Sequence, residues 1–247
     1  MTLNEVLPLA VLASSLLPGL IIFTLPEAWV GTRTTLNIFA AVTKIVLVGI
    51  LLAGVQAGEI YGVRFAVLPG LDIALKVDSL GLLFMTLSAV LWLVTTFYAI
   101  GYLEGAPHRS RFFGFFSLCV TTTMGIAMAG NLFTFFIFYE LLTLSTFPLV
   151  VHRGTDKAMK GGSIYLAYTL GGGTLLLAGI VWLNYLIGHT EFAHGGIAAT
   201  LGAEYAGQLQ IIFLLLMAGV GVKAAIVPLH GWLPRAMVAP APVSALL

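Results

Sequence analysis

Seven apolar runs dominate the chain, at about residues 3–25, 36–57, 79–102, 112–129, 132–151, 162–188 and 209–229. Each comes close to the roughly 20 residues that an α-helix needs to cross a hydrocarbon core of about 30 Å. The pattern predicts an all-α polytopic membrane protein of about seven transmembrane helices, and PVSALL reads as the start of an eighth. From Leu209 to Ala239 there are more residues than one span needs, and Pro228, Gly231 and Pro234 interrupt them. Proline removes a backbone donor and collides with the preceding turn, so the seventh helix is expected to be broken. Irregular backbone at membrane depth is tolerated only inside protein or along a wet cavity, and broken helices mark transport sites in many carriers.

The period changes between the second and third runs. Val63, Phe65 and Val67 alternate, Pro69-Gly70 supplies a turn, and Leu71, Ile73, Leu75 and Val77 alternate again. That is the signature of a small β-hairpin on the membrane surface. Asp78-Ser79 then caps the third helix.

Composition narrows the class. The chain is 60% hydrophobic and 9% charged, against about 25% charged in soluble domains. The net charge of +1 says nothing about nucleic acid, but there is no basic stripe, and no nucleic-acid partner is expected. Cys119 is the single cysteine, so no disulfide and no cysteine-based metal site is expected, and no metal or cofactor. MTLNEVLPLAVL has no basic region and no cleavage pattern, so it reads as a retained first span.

If the runs are spans, Arg33, Arg109, Arg111, Arg153, Lys157, Lys160 and Arg235 share one side, with Arg64 and Lys76 on the other. This bias makes the first side cytoplasmic and puts the N-terminus outside the cell membrane. The chain ends at Leu247 just after a helix start, and is expected to be the front part of a longer protein.

Three charged residues fall inside the apolar runs: Lys44, Glu140 and Lys223. A charge at the bilayer centre costs about 2.5–3.5 kcal/mol on insertion scales, so such residues face a bundle interior or a wet cavity. Glu140 lies eight or more residues from the nearest loop, with Thr143 on its helical face. It is either a protonated structural hydrogen-bonder or a carboxylate governed by a nearby cation. Lys223 sits among Gly219, Gly221, Ala224 and Ala225, small neighbours that let another helix approach. It is either half of a fixed ion pair or a proton carrier switched by its partner. His230, in the break, is equally compatible with a structural hydrogen bond and a proton relay. Lys44 is placed about two turns into its helix and is expected to snorkel to the cytoplasmic surface. His108 and His152 adjoin basic loop residues and read as interfacial; His189 and His194 fall in an outer loop. The glycines of GGSIYLAYTLGGGTLLLAG lack a phosphate-loop pattern and read as close-packing positions.

FFIFYELLTLSTFPLV followed by GVGVKAAIVPLHGWLPRAMVAPAPVSALL resembles the antiporter-like subunits of respiratory complex I, Mrp-type cation/proton antiporters and membrane-bound hydrogenases. The resemblance runs from about Val77 to the end, and Lys223 to Leu246 is its specific part. It implies a fold of about fourteen helices with two inverted repeats. Residues 1–103 would be helices one to three with the hairpin, and residues 104–247 an incomplete first repeat. It also implies that Glu140 on the fifth helix pairs with Lys223 on the broken seventh for proton or Na+/H+ translocation, with His230 or water delivering the proton. The expected partners are other hydrophobic membrane subunits. Any redox chemistry of an NADH:quinone oxidoreductase or hydrogenase would belong to them, since the chain offers no such site. Arg235 and Ala241 depart from an acidic residue and a threonine in many relatives. The HGWLPRAMVAPAP wording is similar to the D-type Mrp and hydrogenase-type branches, with the A-type Mrp proteins within the same group. A self-contained carrier for a small solute and a non-transporting scaffold are the alternatives.

Overall fold

The computed structural model describes residues 2–68, 71–193, 195–197 and 201–244. The protein is a helical bundle: α1 (Leu3–Thr24), α2 (Val30–Gln56), α3 (Ser79–Tyr102), α4 (Arg109–Ala127), α5 (Leu132–Val150), α6 (Asp156–Ile187) and α7 (Ala206–Lys223). Two short helices, α8 (Leu233–Ala236) and α9 (Ala241–Ser244), follow a 3-10 turn at Leu229–Trp232. Among the described residues six segments are long and apolar enough to cross a membrane: α1, α2, α3, α5, α6 and Ala203–Lys223, which carries α7. Together they make this a multi-pass membrane protein. The other predicted span, α4, is 19 residues long and bears Arg109, Arg111 and three consecutive threonines. It can be more polar because it packs against α1, α3 and α5, with Phe112, Phe116, Ser117 and Met124 fully buried. Its neighbours shield it from lipid.

β1 (Gly62–Leu68) and β2 (Leu71–Lys76) pair antiparallel with Val63 opposite Leu75 and Phe65 opposite Ile73. The predicted turn residues Pro69 and Gly70 lie outside the described residues, as do His194 and the end of PVSALL. The hairpin is pinned to the α4–α5 corner. Lys76 N–H donates to Met128 O at 2.7 Å and Gly130 N–H to Ala74 O at 2.8 Å. Thr134 Oγ1 accepts from Ala74 N–H at 2.8 Å. Asp78 caps α3, its carboxylate accepting from Gly81 N–H at 2.7 Å, and Asn131 caps α5 through Thr134 N–H.

Three helix boundaries depart from the apolar runs. α2 begins at Val30, so Arg33 lies in the helix, buried, and donates to Ser110 Oγ at 2.9 Å. α6 begins at Asp156 behind the Thr155 cap, which places Lys157 and Lys160 in its first turns. In both, a polar first turn extends a helix beyond its apolar stretch. α7 ends at Lys223, five residues before Pro228. Its closing hydrogen bonds run from Ala225 N–H to Val222 O and from Ile226 N–H to Gly221 O, with Ala225 at φ 51°. A left-handed residue just past a helix end turns the chain away and satisfies the last carbonyls.

The basic loops gather on one face. Arg111 donates to His152 O at 3.0 Å, and Arg153 to the Tyr102 hydroxyl at 3.2 Å. The His152 imidazole is pushed down to about 4 by burial and by Arg111 and His108, and it packs edge-on against Phe112. On the opposite face Arg64 pairs with Asp72 and Glu191.

Candidate functional site

The site forms where α5, α6 and the end of α7 meet. Glycines let α6 and α7 touch: a Cβ on Gly219 would sit 2.6 Å from Leu176 Cβ, and one on Gly172 would sit 2.8 Å from Val222 Cβ. The glycine-rich sixth run thus serves close packing. Close approach carries the last residue of α7, Lys223, onto α5. Its Nζ donates to Tyr139 O at 2.6 Å and to Thr143 Oγ1 at 2.9 Å. It also lies 3.9 Å from the centroid of the Tyr139 ring, a cation–π distance. Position at a helix C-terminus favours a cation, because the unpaired carbonyls there carry partial negative charge.

Glu140 follows Tyr139 on α5 and points at α6. A Cβ on Gly173 would overlap its Oε1, so glycine makes the space that the carboxyl occupies. Oε1 is buried and makes no hydrogen bond. Among the described residues Glu140 has no ion pair within 4.0 Å, although it and Lys223 act on each other electrostatically. The structure therefore puts the two groups near each other without an ion pair: Lys223 is held by Tyr139 O and Thr143 Oγ1, and Glu140 is the next residue after Tyr139.

Pro228, Gly231 and Pro234 all fall in the irregular stretch and short helix after Lys223. Its anchor is Trp232, whose indole N–H donates to Val222 O at 2.7 Å while its ring meets Tyr165 edge-on. His230 is exposed, and its side chain makes no hydrogen bond or ion pair among the described residues. It is not hydrogen-bonded to Lys223, whose two donor contacts are both to α5. A cavity of about 790 Å³ opens beside Lys223, lined among others by Cys119, Thr146, Tyr165 and Trp232.

Tyr139, Tyr165 and Trp232 escaped the sequence reading. A backbone carbonyl carries no sequence signal, but the hydroxyl-rich face Thr143, Ser145 and Thr146 does. Cys119 Sγ lies 3.5 Å from both Ser145 Oγ and Thr146 Oγ1. Lys44 differs most from expectation. It is completely buried rather than snorkelling, because α2 starts six residues before its apolar run and leaves Lys44 fourteen residues from the helix start.

The fold and the site define a multi-pass helical membrane protein in which a partly buried lysine closes α7 against α5, the helix that also carries the Glu140 carboxyl. Comparison places it more narrowly. Residues 129–247 match the family described as NADH:quinone oxidoreductase/Mrp antiporter, TM, and residues 69–113 match NADH-Ubiquinone oxidoreductase (complex I), chain 5 N-terminus. The chain belongs to the antiporter-like membrane subunits. It is 32% identical over 179 residues to the A1 subunit of a Na(+)/H(+) antiporter from Staphylococcus haemolyticus, covering 72% of this chain and 22% of that protein. It is 32% identical over 200 residues to the antiporter protein mnhA2 of Staphylococcus saprophyticus, covering 79% and 25%. The fold matches a chain of the Mrp complex from Dietzia sp. DQ12-45-1b, with TM-score 0.79 and 24% identity over 100% of this chain and 46% of that one. It also matches a chain of the archaeal membrane-bound sulfane sulfur reductase, with TM-score 0.82 and 19% identity over 99% and 49%. The chain thus spans about half of these solved chains and a quarter or less of the curated relatives.

Proposed function

We propose that this protein moves protons, or exchanges Na+ for H+, across the cell membrane as one subunit of a multisubunit membrane complex. Residues 1–103 would be its first three helices, with the N-terminus outside, and residues 104–247 part of its first antiporter-like repeat. Lys223 is the protonated station, Glu140 the counter-charge, and His230 with water in the break is the route from the cytoplasmic side. Similarity to a Na(+)/H(+) antiporter subunit supports the ion chemistry.

The observation that carries the mechanism is the unbonded Oε1 of Glu140 beside a lysine held by neutral acceptors. A carboxylate locked onto Lys223 would fix the ammonium. A carboxyl that stands off can approach when Lys223 is charged and withdraw when it is not. Coulomb energy between unit charges changes by about 2 kcal/mol between roughly 4 and 8 Å at an effective dielectric constant of about 20. That is enough to bias proton gain and release on Lys223.

The test uses the full-length protein in its complex, in inverted vesicles, with dye quenching as the measure of proton movement. Lys223→Ala and Glu140→Gln should each lower transport by at least about 100-fold while the complex still assembles. Full transport in either variant removes that residue from the mechanism.

A further inference from the structure

The four-helix packing of α1, α2, α3 and α4 encloses a second lysine that the proposed route does not use. Lys44 is 0% exposed. Its Nζ donates to Val11 O at 2.7 Å and to Ser15 Oγ at 2.8 Å, both on α1. Ser15 Oγ lies 2.8 Å from Thr121 Oγ1 on α4, which donates onward to Ser117 O at 2.9 Å. The Trp92 ring of α3 stands 5.5 Å from the nitrogen. Ser117 Oγ, Thr96 Oγ1 and Trp92 Nε1 are buried nearby on the same helices without hydrogen-bond partners.

Among the described residues no ion pair accompanies this amine. The charged groups of α1 and α2 besides Lys44 are Glu5 and Arg33, ten residues from Ser15 and eleven from Lys44, about 15 Å along each axis. α3 carries no charged residue, its phenols being Tyr98 and Tyr102, and the charges of α4 are Arg109 and Arg111 in its first turn. Cys119, also on α4, faces Ser145 and Thr146 of α5 instead.

The acceptor count suits two protonation states. A neutral lysine amine has two N–H donors, which Val11 O and Ser15 Oγ accept. An ammonium has a third, which the Trp92 face can receive as a cation–π contact. A permanent buried ammonium without an anion is among the most expensive groups a protein can hold. An amine that is charged only part of the time escapes much of that penalty.

We infer that Lys44, with the Ser15–Thr121 hydroxyl chain, is a second protonatable station in the N-terminal helices. Protonation places H+ from water on the Nζ lone pair, release returns it, and no other bond changes. α4 separates the two lysine sites, presenting Ser117 and Thr121 to α1 and Cys119 to α5. The inference extends the proposed translocation reading and can fail separately from it.

The experiment compares Lys44→Met and Lys44→Arg with wild type in the assembled full-length complex, measuring transport against pH and melting temperature against pH. Lys44→Met should lower transport at least about 10-fold. Lys44→Arg should not restore it, because a guanidinium keeps its proton. The melting-temperature gap between wild type and Lys44→Met should change with pH. Wild-type transport in Lys44→Met, or rescue by Lys44→Arg, overturns the station and leaves a packing group or a fixed cation. If Lys44→Met fails to assemble, Lys44→Gln, which keeps two N–H donors, is judged by the same criteria. If Lys223→Ala transports normally, the translocation reading fails, and the melting gap alone then decides: a gap that ignores pH overturns the Lys44 site.

Discussion

Lys223 and Lys44 are both lysines on apolar helices, held by one backbone carbonyl and one hydroxyl at nearly equal distances. Their surroundings differ in three ways. Lys223 closes a helix whose end is turned aside at Ala225, whereas Lys44 sits in the middle of an unbroken one. Lys223 shares its site with the Glu140 carboxyl, while Lys44 meets the Val11 carbonyl, the Ser15 hydroxyl and the Trp92 indole, with no carboxylate paired to it among the described residues. Lys223 is partly exposed beside a cavity, and Lys44 is sealed. The same anchoring chemistry is therefore placed beside a cavity in one case and in a sealed interior in the other. In the proposed mechanism, hydrogen bonds hold the nitrogen, and the helix end and the carboxyl govern how readily its proton moves.

The comparison can be broken at the carboxyl without touching either lysine. Gly173→Ala puts a methyl where Glu140 Oε1 lies. The far end of a glutamate swings more easily than a helix shifts, and alanine favours helix over glycine by about 1 kcal/mol. The fold should therefore survive while the carboxyl moves. Transport should fall about 10-fold, in the range for displacing an acid–base group, with the melting temperature of the complex unchanged or raised. A fall in melting temperature at full transport would show that the space around Glu140 serves packing alone.

Where these two sites were readable, charge made them so. Glu140 and Lys223 stand out because a charge in an apolar run has no other home, and the prolines announce an irregular segment. The position of the break at Lys223 was hidden, since Ala225 adopts a left-handed conformation that sequence associates with glycine. Lys44 was misplaced for a related reason. VGTRTTLN, the first two turns of α2, is too polar to read as membrane helix. The fold recruits those turns by burying Arg33 against Ser110 and Glu27. The hairpin was legible from its period of two, but its docking on Met128 and Gly130 depends on backbone groups that every residue has.

Removing one hydroxyl from each lysine sharpens the contrast in solvation. Ser15→Ala deprives Lys44 and Thr121 of a shared partner in a sealed site, where an unmet donor costs about 1–3 kcal/mol. Thr143→Ala leaves Lys223 with Tyr139 O, the Tyr139 ring and a partly exposed position beside the cavity, so the loss should stay below about 1 kcal/mol. Chemical denaturation of the detergent-solubilised complex would rank them. A larger loss at Thr143 than at Ser15 would mean that the two sites are equally dry.

The smallest effect should come from the break itself. Ala225 is held at φ 51°, and for a residue with a Cβ the left-handed region costs roughly 1–2 kcal/mol. Glycine removes that cost but adds about 0.4–1 kcal/mol of unfolded-chain entropy. Ala225→Gly should therefore stabilise the complex by a net of roughly 0–1.6 kcal/mol, read as a small rise in melting temperature. Because the substitution keeps the turn and the bonds from residues 225 and 226 to Val222 O and Gly221 O, Lys223 stays on Tyr139 and transport should be unchanged. A lower melting temperature would mean that the chain after Lys223 adopts some other path in the assembled protein. The difference between an open lysine and a sealed one would then have to come from the carboxyl alone.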